Sequence, residues 1–95
     1  MHTTARHQPS SAARVEDVLL MLHKACEERN ILVTADHRVS EADATNLVGY
    51  APGSLKNLRA LGGAPAYYRR GAGGGRISYR LEDLVRWLEA GREDW

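Results

Sequence analysis

No aspartate or glutamate occurs between Ala44 and Leu81, a stretch that carries Lys56, Arg59, Arg69, Arg70, Arg76 and Arg80. All 12 acidic residues lie outside it, so a formal net charge of only +1 conceals a chain that is acidic at its ends and basic through its middle. A cationic face without interspersed carboxylates draws a polyanion, nucleic acid above all, although the same charges also suit a plain solvated surface. Cysteine is nearly absent too: Cys26 alone cannot close an internal disulfide, which suits a reducing compartment. No apolar run approaches the length of a bilayer span, the longest being at residues 18–22. Residues 1–13 offer no apolar signal core. These absences give the expectation of a cytoplasmic protein with no membrane partner. A chain of 95 residues has room for one small domain, and no internal repeat is visible.

What is present is mostly helix. Val15, Val18, Leu19, Leu22 and Cys26 recur at helical spacing and predict a helix over residues 14–29, after a flexible tail at 1–13. Leu20 and Met21 widen that stripe, and Glu16 and Asp17 suit its positive end. Residues 31–34 form a β-branched patch that reads as a strand or an extended linker. Ser40 is an N-cap with Asp43 as its capping-box partner, and Ala42, Ala44, Leu47 and Val48 follow on one face up to a stop at Gly49. Pro52 opens a second helix that runs to Leu61, with Leu55 and Leu58 inward and Gly62-Gly63 closing it.

Helix, short glycine-containing turn, helix is the outline of a helix-turn-helix. Gly53, Lys56, Asn57 and Ala60 then face outward. Asn suits adenine and Lys suits guanine or phosphate, so this side has the chemistry of major-groove readout, while also suiting an ordinary polar helix surface. After Pro65, residues 66–70 and 76–80 are strand-like and joined by Gly71-Ala72-Gly73-Gly74-Gly75, which predicts a β-hairpin flanked by arginines. Such a basic hairpin acts as a wing on phosphates or in the minor groove. Tyr67, Tyr68 and Tyr79 could stack on bases; the plainer expectation buries Tyr79 and one of the adjacent pair, since neighbours on a strand face opposite sides. Leu81, Leu84, Val85 and Leu88, with Trp87, predict a last helix over 81–90, closed by Gly91.

Other chemistries find little support. A G-x-G-x-x-G frame set on Gly71 and Gly73 meets Arg76 where the third glycine belongs, and no Walker lysine follows. His23 and Cys26, three apart on a helix, with His37 as third ligand, lack a fourth, and a buried Cys26 with His23 at the core's rim is the plainer reading. No spacing selects a nucleophile with its base. The expectation is a non-enzyme with no catalytic residues, no metal and no cofactor.

The runs Val39-Ser40-Glu41-Ala42, Leu47-Val48-Gly49-Tyr50 and Ser54-Leu55-Lys56-Asn57-Leu58-Arg59 resemble the winged helix-turn-helix of MerR-like proteins, and most closely the excisionase and AlpA-like group, the recombination directionality factors. Gly63-Ala64-Pro65-Ala66-Tyr67-Tyr68-Arg69 and the run from Arg76-Ile77-Ser78-Tyr79-Arg80 to Leu88 are similar to that group's wing and closing helix. The resemblance spans residues 39–89. It departs at Leu58, where the group often has Trp, and at the glycine-rich tip, which is longer than usual.

The resemblance implies a fold that is mainly α with a small β-hairpin: a winged helix-turn-helix at 39–91, preceded by an additional N-terminal helix and linker at 14–38 as a candidate oligomerisation element, with a C-terminal tail at 92–95. It implies double-stranded DNA contacts from Ser54, Lys56, Asn57 and Arg59 on the recognition helix and from Arg69, Arg70 and Arg76 on the wing. The implied role is that of a bacterial or phage-encoded, nucleoid-associated excisionase. Such a protein binds repeated sites cooperatively as a dimer or head-to-tail oligomer, bends DNA and assists an integrase in excising a prophage or integrative element. A small dimeric transcriptional regulator of a mobile element, and the DNA-anchoring small subunit of a phage packaging complex, are the alternatives.

Overall fold

The computed structural model describes residues 11–71 and 76–93. In chain order these form α1 (Ser11–Glu28), β1 (Arg38–Ser40), α2 (Glu41–Leu47), α3 (Ser54–Leu61), β2 (Tyr68–Arg70), β3 (Arg76–Arg80) and α4 (Leu81–Ala90). Four helices and one antiparallel sheet of order β1-β3-β2 make this a mixed α/β fold among the described residues.

Local chemistry sets the elements that follow β1. The Ser40 hydroxyl accepts from the Asp43 amide at 3.1 Å and so caps α2, while the same hydroxyl donates to the Asp43 carboxylate. Asp43 thus holds the cap's side chain. At the other end Gly49 adopts φ +79°, and the amides of Gly49 and Tyr50 return to the carbonyls of Asn46 and Thr45. That pair of bonds satisfies two terminal carbonyls of α2 and turns the chain sharply. The next step differs from the sequence expectation. Pro52 does not open α3; it sits second in a turn closed by the Ser54 amide on the Ala51 carbonyl at 3.0 Å, with Gly53 at φ +85°. Proline followed by a positive-φ residue is a type II turn, so the helix starts two residues later, at Ser54. A Cβ added at Gly53 would touch nothing within 4 Å, which leaves only the backbone cost. Gly53→Ala is therefore expected to lower stability by about 1 kcal/mol, or roughly 4–8 °C in thermal midpoint. A melt indistinguishable from wild type would show that the turn relaxes.

Three other expectations are corrected. The first helix begins at Ser11, so residues 11–13 are helical rather than tail, and Glu16 and Asp17 lie beyond the first turn. Ala12 and Ala13 carry no apolar stripe, but alanine is the strongest helix former. Residues 1–10 of the expected tail, 72–75 of the hairpin connection and 94–95 lie outside the described residues.

The second concerns residues 31–34, which form no strand, leaving the linker of the two alternatives. Ile31 and Val33 pack on the core while Leu32 is exposed, and a turn at Thr34–His37 leads into β1 at Arg38–Ser40. The hairpin is therefore two strands of a three-stranded sheet, with Arg38, Val39 and Ser40 opposite Arg80, Tyr79 and Ser78. The third concerns the tyrosines. Tyr79 is fully buried, but Tyr67 and Tyr68 remain 42% and 39% exposed, so neither of the adjacent pair joins it.

The core sits between the inner face of the sheet and the helices. Val39 and Tyr79 come from the sheet, Ala44 and Thr45 from α2, Leu55 from α3, and Leu81, Leu84 and Val85 from α4. Buried Thr45 satisfies its hydroxyl on the Glu41 carbonyl at 2.7 Å. On the other side α1 packs along α4 through Val15, Leu22 and Cys26, with Arg14 and Glu89 paired at 3.0 Å. Trp87 donates to the Gly63 carbonyl at 3.0 Å and so ties α4 to the segment after α3.

Candidate nucleic-acid interface

Burying Leu55 and half-burying Leu58 turns the opposite side of α3 to solvent. Lys56, Asn57 and Ala60 are exposed there and Ser54 is half-buried at the first turn. Among the described residues no carboxylate pairs with Lys56, and the Asn57 side chain forms no hydrogen bond. These two side chains are uncommitted donors on a rigid support.

Arg59, placed with them by the sequence, is turned elsewhere. Its guanidinium grips the Glu41 carboxylate with two bonds, Nε to Oε2 at 2.6 Å and Nη2 to Oε1 at 3.0 Å. The Tyr79 hydroxyl donates to the same Oε2 at 2.7 Å. The Arg59 and Glu41 side chains are only 15% and 20% exposed. The Arg59 bonds, with the Tyr79 hydroxyl assisting against the cost of burial, hold the Glu41 carboxyl below its ordinary value. Burial, reinforced by the adjacent carboxylate, raises the Tyr79 phenol. Three groups from α2, α3 and β3 thus form one knot. Arg59 also lies 5.5 Å over the Tyr67 ring, which leans on Tyr79 at 6.1 Å. The guanidinium fixes α3 against the sheet and is occupied in doing so.

The hairpin arginines are divided by strand register. Arg70 stands opposite Arg76 on the outer face of the sheet, together with Tyr68 and Ser78, whereas Arg69 is opposite Ile77 on the inner side. All three are exposed, and among the described residues none has an acidic partner.

Sequence reasoning passed over a second cluster on that outer face. Arg38 and Arg80 are cross-strand partners, and their guanidiniums lie 5.2 and 5.8 Å from the Tyr68 ring centroid. Asp36 reaches Arg38 at 2.8 Å and Arg80 at 3.8 Å. The Thr34 hydroxyl first, and then Arg38, push its carboxyl down to about 2. The alternation Arg76, Ser78, Arg80 was the available signal, because such spacing puts all three on one side of a strand.

The remaining candidates are placed as follows. The rings of His23 and His37 meet edge-on with centroids 5.0 Å apart. Cys26 is buried, and that burial, with Asp43 adding to it and Arg29 opposing, raises its thiol. Among the described residues no three His, Cys, Asp or Glu side chains gather into a group that could hold a metal ion. No described helix is long and apolar enough to cross a membrane.

No protein-family model, no curated protein and no solved structure matches this chain.

Proposed function

We propose that this protein binds double-stranded DNA in a sequence-specific manner, with α2, the Gly49–Gly53 turn and α3 acting as a helix-turn-helix and the β2–β3 hairpin as its wing. The observation that carries this reading is the state of α3. Its inner side is sealed by Leu55, the Arg59–Glu41–Tyr79 knot clamps it, and Lys56 and Asn57 stand exposed with no ion pair or side-chain hydrogen bond among the described residues. A helix held this rigidly presents its donors in one geometry, which base readout requires. Ser54 lies at the end of α3 where a phosphate is favoured by the helix dipole, and the exposed arginines at the hairpin's end, Arg70 and Arg76, reach the backbone beside it. Arg59 serves as the clamp.

The resemblance to excisionases supports a role in recombination, with an integrase as protein partner. A small domain makes few contacts, so occupancy of DNA depends on neighbouring copies. Leu20 and Met21, 68% and 64% exposed on α1, supply an apolar patch for that contact. The same patch would serve a dimeric regulator, and DNA retained by the protein separates the two roles. Sequencing fragments captured from sheared genomic DNA of the source organism is expected to return tandem repeats beside an integrase attachment site. Isolated palindromes at promoters would favour the regulator, and no enrichment at low salt would overturn DNA binding itself.

The wing makes its own prediction. Arg76→Ala is expected to weaken binding on every sequence and to flatten the slope of log affinity against log salt by about 0.9. An unchanged slope in anisotropy titrations would remove Arg76 from the backbone.

A further inference from the structure

Like charges directly opposite each other on neighbouring strands destabilise a sheet. This small sheet contains two such pairs, Arg38 opposite Arg80 and Arg70 opposite Arg76, all on its outer face. The Arg70–Arg76 pair borders the hairpin connection, within reach of DNA held on α3. The Arg38–Arg80 pair does not share that position. It lies four residues back along β3, about 13 Å at the rise of an extended strand. All four arginines share the face opposite the one that meets α3, since Val39 and Tyr79 on the inner face share the core with Leu55, so it is distance from the hairpin connection that sets the Arg38–Arg80 pair apart. A straight duplex lying along α3 and the hairpin's end leaves Arg38 and Arg80 untouched.

Compensation at this pair is incomplete. Asp36 serves both arginines but stands 3.8 Å from Arg80, whose buried Nε has no hydrogen-bond partner among the described residues. Arg38 spends one nitrogen on the Ser78 hydroxyl at 2.9 Å. Both guanidiniums lie over the Tyr68 ring on the neighbouring strand β2, which holds the two cations side by side on this face. Glu82 lines the same cavity as Asp36 and Arg80 but is paired with Arg86 at 2.6 Å, so among the described residues Asp36 is the one carboxylate bonded to the two arginines, and an added phosphate would complete what it begins.

We infer that the Arg38–Arg80–Tyr68 face of the sheet takes the phosphodiester backbone of a second segment of duplex DNA while α3 holds the first, an inference that rests on the α3 reading for its first segment. The protein then joins two duplexes, or two parts of one, without needing a second copy of itself.

The test uses the full chain, one biotinylated duplex immobilised on beads and a second, fluorescent duplex in solution. Wild-type protein is expected to bring the fluorescent duplex to the beads. Arg38→Gln/Arg80→Gln is expected to bind a single duplex as wild type does, but to capture the second roughly tenfold less, the scale set by losing two phosphate contacts. Its thermal midpoint is read alongside, because the variant loses the Asp36 ion pair and the Ser78 bond as well as the like-charge pair, and capture is compared at a temperature where both proteins are folded. Undiminished capture by that variant would overturn the inference and assign bridging to self-association. Failure of the wild type to capture a second duplex would overturn it equally. The α3 reading fails separately. If Lys56→Ala/Asn57→Ala binds duplex as wild type does while Arg38→Gln/Arg80→Gln does not, the outer face stands as the nucleic-acid surface and α3 does not.

Discussion

Replacing Glu41 with alanine is expected to destabilise the protein by about 3 kcal/mol, which for a domain of this size lowers the thermal midpoint by roughly 10–25 °C. The loss has two parts. One is the pair of bonds from Arg59, the other the bond from Tyr79. Removing the shared acceptor leaves a guanidinium only 15% exposed and a phenol on a fully buried ring with nothing to bond to. Unpaired donors cost more than the net worth of the bonds themselves. Glu41→Gln keeps one oxygen that can still accept from Arg59 Nε and Tyr79, but it loses the charge and the acceptor of Arg59 Nη2, so it is expected to fall between alanine and wild type. Tyr79→Phe removes a donor and leaves the ion pair intact, so its effect should be smaller, about 1 kcal/mol.

The same carboxylate gives a pH dependence whose sign is determined. Its folded-state pKa lies below the unfolded value near 4.3, so the stability it contributes is present at neutral pH and is lost as pH falls through and below that value. Glu41→Gln should flatten this part of the acid limb. Asp36, with its carboxyl held near 2, retains a smaller exposed contribution. Urea melts of wild type, Glu41→Ala and Glu41→Gln at pH 7 and pH 3.5 measure both effects. A Glu41→Ala variant as stable as wild type would show that the knot orders these groups without stabilising them.

Asn57→Ala is expected to lower affinity for the preferred site by about 1–3 kcal/mol, roughly 5- to 150-fold, with little change on random duplex. The Asn57 side chain is exposed and forms no hydrogen bond among the described residues, and its backbone bond to Gly53 survives the substitution, so stability should not fall with it. That separates it from Arg59. Arg59→Ala breaks the clamp, and both its stability and its binding should fall together on all sequences. Equal loss on specific and random DNA for Asn57→Ala would place that side chain away from a base edge.

Some of this was legible from local chemistry alone. Ser40 with Asp43, the positive-φ glycine at 49 and the apolar stripe of α4 announce themselves within a few residues, and the structure agrees with them. The outward position of Lys56 and Asn57 followed from the inward leucines. What stayed hidden depends on partners distant in the chain. β1 has only three residues and no pattern of its own; it is a strand because β3, some forty residues later, pairs with it. Arg59 looks like a surface arginine until Glu41 and Tyr79 are brought beside it. Tyr68 faces outward because register sets it opposite Ser78, and the arginines that flank it come from two other positions in the sheet. Pro52 misled because it suits both a helix start and a turn, and Gly53 decided between them.

The most direct measurement is an amide chemical-shift map of isotope-labelled protein titrated with a duplex selected for tight binding. If α3 enters the groove, the largest shifts fall on the Ser54–Asn57 amides and the Asn57 side-chain amide, with smaller ones at Arg70 and Arg76. Shifts confined to other surfaces, with α3 unmoved at saturation, would contradict major-groove reading by this helix.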